Sequence, residues 1–181
     1  MTISIVFMRV VAHAYLVILI SLLFVACDKK PEIPSPTSPN LKEVEAARTA
    51  MVDWLECEEC TENQLKTVLE YSPLLQPMLV STLHKGVSPA SRELYKRELE
   101  KRYDELIAYS KTHPHSKPTL PKQEFVNLYL GNLTAQYQTR AAIALSAIGG
   151  EKSKQALQEA LKKTNREDVR DTIKLALKDM Q

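Results

Sequence analysis

"TRAAIALSAIGGEKSKQALQEALKKTNREDVRDTIKLAL", residues 139–177, decides the fold. The string "QTRAAIALSAI" and the later "EDVRDTIKLAL" each set an arginine among small or branched apolar residues, and Arg140 to Arg170 is a step of 30 residues. Between them, "SKQALQEALKK" repeats the leucine spacing of the upstream "QPMLVSTLHKG", with Leu157 and Leu161 answering Leu79 and Leu83. Self-similarity at such a step is the mark of repeated helical units that bury their apolar faces against neighbours. Ala141, Ala142 and Ala144 are small enough to let helices approach closely, while Leu145 and Ile148 fill the seam. The "GG" at 149–150 stops one helix, and two more are expected over about 151–163 and 166–179.

The same stretch resembles HEAT-type repeats of the short bacterial kind: Arg-Ala-Ala-x-Ala-Leu, a Gly-rich turn, x-Ala-Leu-x-x-Ala-Leu, then Asp-Val-Arg. The resemblance implies an all-α fold, a short right-handed α-solenoid of helical hairpins. It also implies that the repeat arginines bond loop carbonyls or acidic groups between units.

Upstream the pattern is looser but still helical. Residues 41–57 carry Val44, Ala47, Met51, Val52, Trp54 and Leu55 at helical spacing, with Asn40 as N-cap. Thr61 and Gln64 form a capping-box pair that opens a second helix reaching about Tyr71. "SPLLQPMLVSTLHKG" places Pro73 near a helix start and Gly86 just past its end, with a start at Pro77 as the alternative. Ser88 and Pro89 open a long charged helix, inserted into the repeat pattern, whose Tyr95, Leu99, Tyr103, Leu106 and Ile107 share one side; its charges read as a solvated face. After the loop "HPHSKPTLP" a helix is expected from near Pro121 to Ile148, despite Gly131.

Composition agrees with this reading and excludes one class of partner. Only 4 glycines occur in 181 residues, and Lys+Arg number 24 against 22 Asp+Glu. So balanced a chain has no strong field to draw it to nucleic acid.

The first 26 residues hold no acid and one formal positive charge, Arg9, and run apolar from Ala14 to Ala26 broken only by Ser21. That is the layout of an export signal. It is short for a membrane span, which needs about 20 apolar residues. Arg9 lies far in, behind "ISIVF", so a start at Met8 yields the tidier leader. Its end, Phe24, Val25, Ala26 and Cys27, resembles a bacterial lipoprotein signal, Phe24 being the one departure from the usual Leu. The resemblance implies cleavage before Cys27, diacylglycerol on its thiol, and a further palmitate-type chain on the new N-terminus. Two or more chains anchor stably where one does not. Asp28 follows directly, which in enterobacterial lipoproteins goes with inner-membrane rather than outer-membrane residence. "DKKPEIPSPTSPN" then reads as an extended, semi-rigid tether. The expected organisation is a signal over 1–26, a tether over 27–40 and a helical body over 41–181.

With Cys27 given to lipid, Cys57 and Cys60 remain as an even pair. Three residues apart at a helical corner, they fall within disulfide reach, about 4.4–6.8 Å between Cα atoms. Two other uses compete. A redox CxxC needs a βαβ setting and a cysteine at a helix start, whereas Cys57 closes a helix. Zinc would need His84, or His113 and His115, and none of these has the spacing of a zinc module.

No nucleophile, base and oxyanion-stabilising set stands out. The expectation is therefore a non-catalytic scaffold without a cofactor, tethered to the periplasmic side of the cell envelope, with an envelope protein as partner. A redox- or metal-responsive use of the CxxC pair is one alternative. A lyase-type enzyme, by resemblance to HEAT-like bilin lyases, is the other.

Overall fold

The computed structural model describes residues 40–181. The expected signal, Cys27, Asp28 and nearly all of the tether lie outside the described residues. Seven α-helices and no strand make up the described part: α1 (Leu41–Glu56), α2 (Glu62–Glu70), α3 (Ser72–Lys85), α4 (Pro89–Ser110), α5 (Lys122–Ile148), α6 (Gly150–Lys163) and α7 (Glu167–Asp179). A 3-10 turn, Pro114–Ser116, interrupts the loop before α5. No helix among the described residues is long and apolar enough to cross a membrane.

Local chemistry accounts for most helix ends. Asn40 accepts the Lys42 N–H through its side chain and starts α1. Thr61 accepts from the Gln64 backbone while the Gln64 side chain takes the Thr61 N–H, so both arms of the capping box form. Ser88 caps α4 through one arm alone, accepting the Ser91 N–H at 3.1 Å. Helix α3 begins at Ser72 rather than Pro77 and runs through that proline. The missing N–H of Pro77 leaves the Pro73 carbonyl without its helical partner, but both prolines are exposed, so water can supply the bond. Gly86 ends α3 at φ 68°, and a Cβ there would run into Thr134 Cγ2, so only glycine fits the crossing onto α5. Gly149, at φ 73°, makes the sharp turn from α5 into α6.

Helix α5 is the axis of the molecule. It has 27 residues, about 40 Å of helix, and it alone packs against all six other helices. Its C-terminal half presents Ala141, Ala142, Ala144 and Leu145, all fully buried, to the core. Around them close Trp54 and Leu55 from α1, Val68 from α2, Leu75, Leu79 and Leu83 from α3, Leu157 from α6, and Val169 and Ile173 from α7. Alanine on the hub is what permits so many neighbours, because a larger side chain would hold each helix farther off.

The N-terminal half of α5 is packed differently. Phe125, Val126 and Leu130 form a second, small cluster with Tyr95, Leu99, Tyr103 and Leu106 of α4 and Leu120 of the preceding loop. The Tyr103 and Phe125 rings meet edge to face at 5.3 Å. No residue of α4 is itself fully buried. Four of the five residues read from the sequence as one stripe, all but Ile107, thus form the face that packs, and the charges on its other sides face water. Only Lys122 to Asp104, at 2.7 Å, ties those charges to α5.

Candidate functional site

Polar groups converge at the corner where α1 turns into α2. Helix α1 ends at Glu56 and the chain passes Cys57 and Cys60 before Thr61 starts α2. A helix end leaves carbonyls without partners, and at this corner side chains supply them. Gln64 Nε2 donates to Asp53 O at 3.2 Å. Leu55 O accepts twice, from Arg140 Nη1 at 2.7 Å and from Gln136 Nε2 at 3.1 Å. Trp54 Nε1 in return donates to Arg140 O at 3.0 Å, so α1 and α5 are stitched in both directions.

Cys57 and Cys60 stand at disulfide distance, with Cα atoms 5.3 Å apart. Cys57 is half-buried against the core and Cys60 is exposed. Beside them, Glu56 Oε1 accepts two tyrosine hydroxyls, from Tyr95 of α4 at 2.9 Å and from Tyr137 of α5. One carboxylate oxygen therefore joins three helices. Burial pushes the Tyr137 hydroxyl well above the usual tyrosine range, and the bond to Glu56 pushes it further. Tyr95 rises for the same two reasons in the same order. Burial lowers Arg140 below the ordinary arginine value.

This arrangement holds helices together: every donor named above closes on a protein acceptor. A hollow of about 470 Å3 opens beside it, lined in part by Glu58, Leu133 and Cys57.

Of the arginines expected to bond carbonyls, Arg140 does so, whereas Arg170 is exposed and makes no side-chain hydrogen bond among the described residues. At that end of the molecule Arg166 takes the acidic partner, forking onto both oxygens of Asp168 at 3.0 and 2.7 Å. That bond raises Arg166 and holds Asp168 below the usual carboxylate range. His84, on α3, lines a hollow between that helix and α6, His113 stacks on Tyr109 with ring centres 4.0 Å apart, and His115 sits in the 3-10 turn. No group of three or more His, Cys, Asp or Glu among the described residues is placed to hold a metal ion.

Sequence reading missed Glu56 and Tyr137 as partners. Glu56 lies 39 residues from Tyr95 and 81 from Tyr137, and nothing local in either stretch announces the meeting. The capping box at Thr61 was the one signal that a corner needed fixing here.

No protein-family model matches this chain, and no curated protein and no solved structure is similar enough to count as a match.

Proposed function

We propose that this chain is a lipid-anchored protein of the bacterial envelope whose helical body is a non-catalytic scaffold for another envelope protein. The observation that carries the reading is the run Phe24-Val25-Ala26-Cys27-Asp28, which follows an acid-free apolar leader and precedes a proline-rich tether. Acylation at Cys27 would fix the chain to a membrane, with the tether lifting the body clear of the lipid. Asp28 favours the inner membrane. Within the body, we read residues 139–177 as HEAT-like hairpins of a short right-handed α-solenoid, with α4 as the inserted long helix. What supports this is the close packing of α6 and α7 on the alanine face of α5 and the shared spacing of α3 and α6. A site that only positions helices, as at Glu56, suits a binding body better than a reacting one.

The decisive variant is Cys27→Ser. Expressed in a bacterium with lipoprotein processing, the native chain should partition into detergent and lose its leader, and C27S should accumulate uncut or appear in the soluble fraction. Identical processing and partitioning of the two would remove the anchor. Crosslinking in the native envelope, followed by mass spectrometry, tests the scaffold: one reproducible protein partner is expected, and none would contradict it.

The cysteine pair favours a second reading, a redox-responsive corner, because it stands at disulfide distance with one member exposed. Its surroundings weigh the other way. Glu56, Glu58, Glu59 and Glu62 flank the pair in sequence, and carboxylates disfavour the thiolate that thiol–disulfide exchange requires. Thiol counting in the folded protein decides: a bridge that persists in millimolar glutathione is a staple, and one that opens while the helices stay folded is a switch.

A further inference from the structure

A trough of about 690 Å3 runs between α1 and α3, inside the range of about 300–1,000 Å3 typical of small-molecule sites. One wall is the α1 face carrying Arg48, Met51, Val52 and Leu55, at i, i+3, i+4 and i+7. The other is the same spacing on α3, Met78, Ser81, Thr82 and Lys85. Each wall spans eight residues, about 10 Å of helix from first to last. The turn from Gly86 to Pro89 closes one side, with Val87 buried in it.

Two features say what would occupy it. The exposed lining is more apolar than polar, and soft: Met51 and Met78 are flexible, polarizable side chains that shape themselves to an irregular guest, and Val52 keeps 44% of its surface exposed between them. Two of the three charges in its lining are cations. Arg48 and Lys85 are both exposed, and neither forms an ion pair among the described residues. Glu56, the one acid in the lining, is already engaged by two tyrosine hydroxyls.

The geometry points to a binding site for a single-chain anionic amphiphile of the fatty-acid class, with its alkyl chain along the methionine walls and its carboxylate near the rim cations. A neutral lipid would leave those cations unused, and a nucleic acid would leave the walls unused. A chain with a free end also suits a trough closed on one side. The trough and its lining are independent of the lipid proposed at Cys27.

The test is calorimetric titration of the full chain with dodecanoate below its micelle concentration, and with dodecanol as the uncharged counterpart. One saturable site for dodecanoate is expected. Reversing both exposed cations, R48E with K85E, should weaken dodecanoate by about tenfold or more and leave dodecanol nearly unchanged. V52D, a charge placed on the apolar wall at an exposed position, should weaken both ligands by about tenfold or more. C27S should bind as the native chain does, which separates this site from the anchor. An unchanged helical circular dichroism spectrum shows that each variant is folded. The absence of saturable binding to the native chain overturns the proposal. So does binding that survives V52D, or dodecanol binding as tightly as dodecanoate.

Discussion

The two halves of α5 belong to one helix and obey different packing rules. Its C-terminal half offers alanines and is enclosed by α1, α2, α3, α6 and α7; its N-terminal half offers Phe125, Val126 and Leu130 and meets α4. Close approach of backbones made the first a hub. The second is held by rings and leucines, and α4 contributes no fully buried residue to it. The difference teaches that α4 is a satellite: its removal would expose the small cluster and free Tyr95 from the edge of the hub and from Glu56, whereas any gap in the hub would be felt by five helices.

Substitutions in the two halves should separate on that basis. The largest effect is expected from Leu145→Ala in the hub, a fully buried leucine at the centre of the core; such truncations cost about 2–5 kcal/mol. Urea unfolding should show a fall of that size for the whole protein in one transition. Phe125→Ala in the small cluster, where the residue keeps 8% of its surface in water, should cost about 3 kcal/mol, the lower end for such a change. Its signature should be local: amide exchange should accelerate in α4 and hardly at all in α6 and α7. If both variants lower the global transition equally and neither singles out α4, the two halves form one cooperative unit.

Tyr137→Phe cuts one of the two bonds on Glu56 and should cost about 1 kcal/mol, the usual worth of a hydrogen bond, because Glu56 itself is exposed. The pH dependence carries more information. Tyr137 and Tyr95 both have folded pKa values raised above that of the unfolded chain, about 10. A raised value means the folded state holds its protons more tightly, so the stabilisation is complete below about pH 10 and is lost as pH rises beyond it. Stability measured from pH 8 to 11 should therefore stay level and then fall, and Y137F should flatten the fall. An equal fall in Y137F would remove the role assigned to this hydroxyl.

The smallest effect is expected at Arg166 and Asp168. Asp168 is held below its ordinary range by Arg166, so its contribution is present above the unfolded value near 4 and disappears as pH falls through the lowered one. The pair is exposed, with side chains 43% and 53% open to solvent, and exposed pairs contribute about 0–1 kcal/mol. Asp168→Asn should lower stability by no more than that at pH 7, and by progressively less as pH falls below about 4. A larger loss at neutral pH would mean that the fork onto both oxygens orders the start of α7.

How far the sequence reaches is explained by the range of the interactions involved. Caps at Asn40, Thr61 and Ser88, the stop at Gly86 and the alanine face of α5 are local chemistry, and each is readable within a few residues. The packing stripe of α4 was readable too, since helical spacing places Tyr95, Leu99 and Tyr103 together whatever covers them. Pro77 misled because its cost depends on whether the orphaned carbonyl faces water. The Glu56 junction, the double bond of Arg140 and Gln136 onto Leu55 O, and the trough between α1 and α3 all arise from the order in which helices pack, which no short stretch encodes. The idleness of Arg170 belongs with them, for the repeat spacing is the same at both arginines and only the neighbours differ.

Native-state hydrogen exchange on the full chain, read by mass spectrometry, tests the hub most directly. The amides of residues 135–148 should exchange only through global unfolding, and those of α4 should open at a distinctly lower free energy. If α4 is protected as strongly as the C-terminal half of α5, or if that half of α5 opens first, the molecule is not built around this helix.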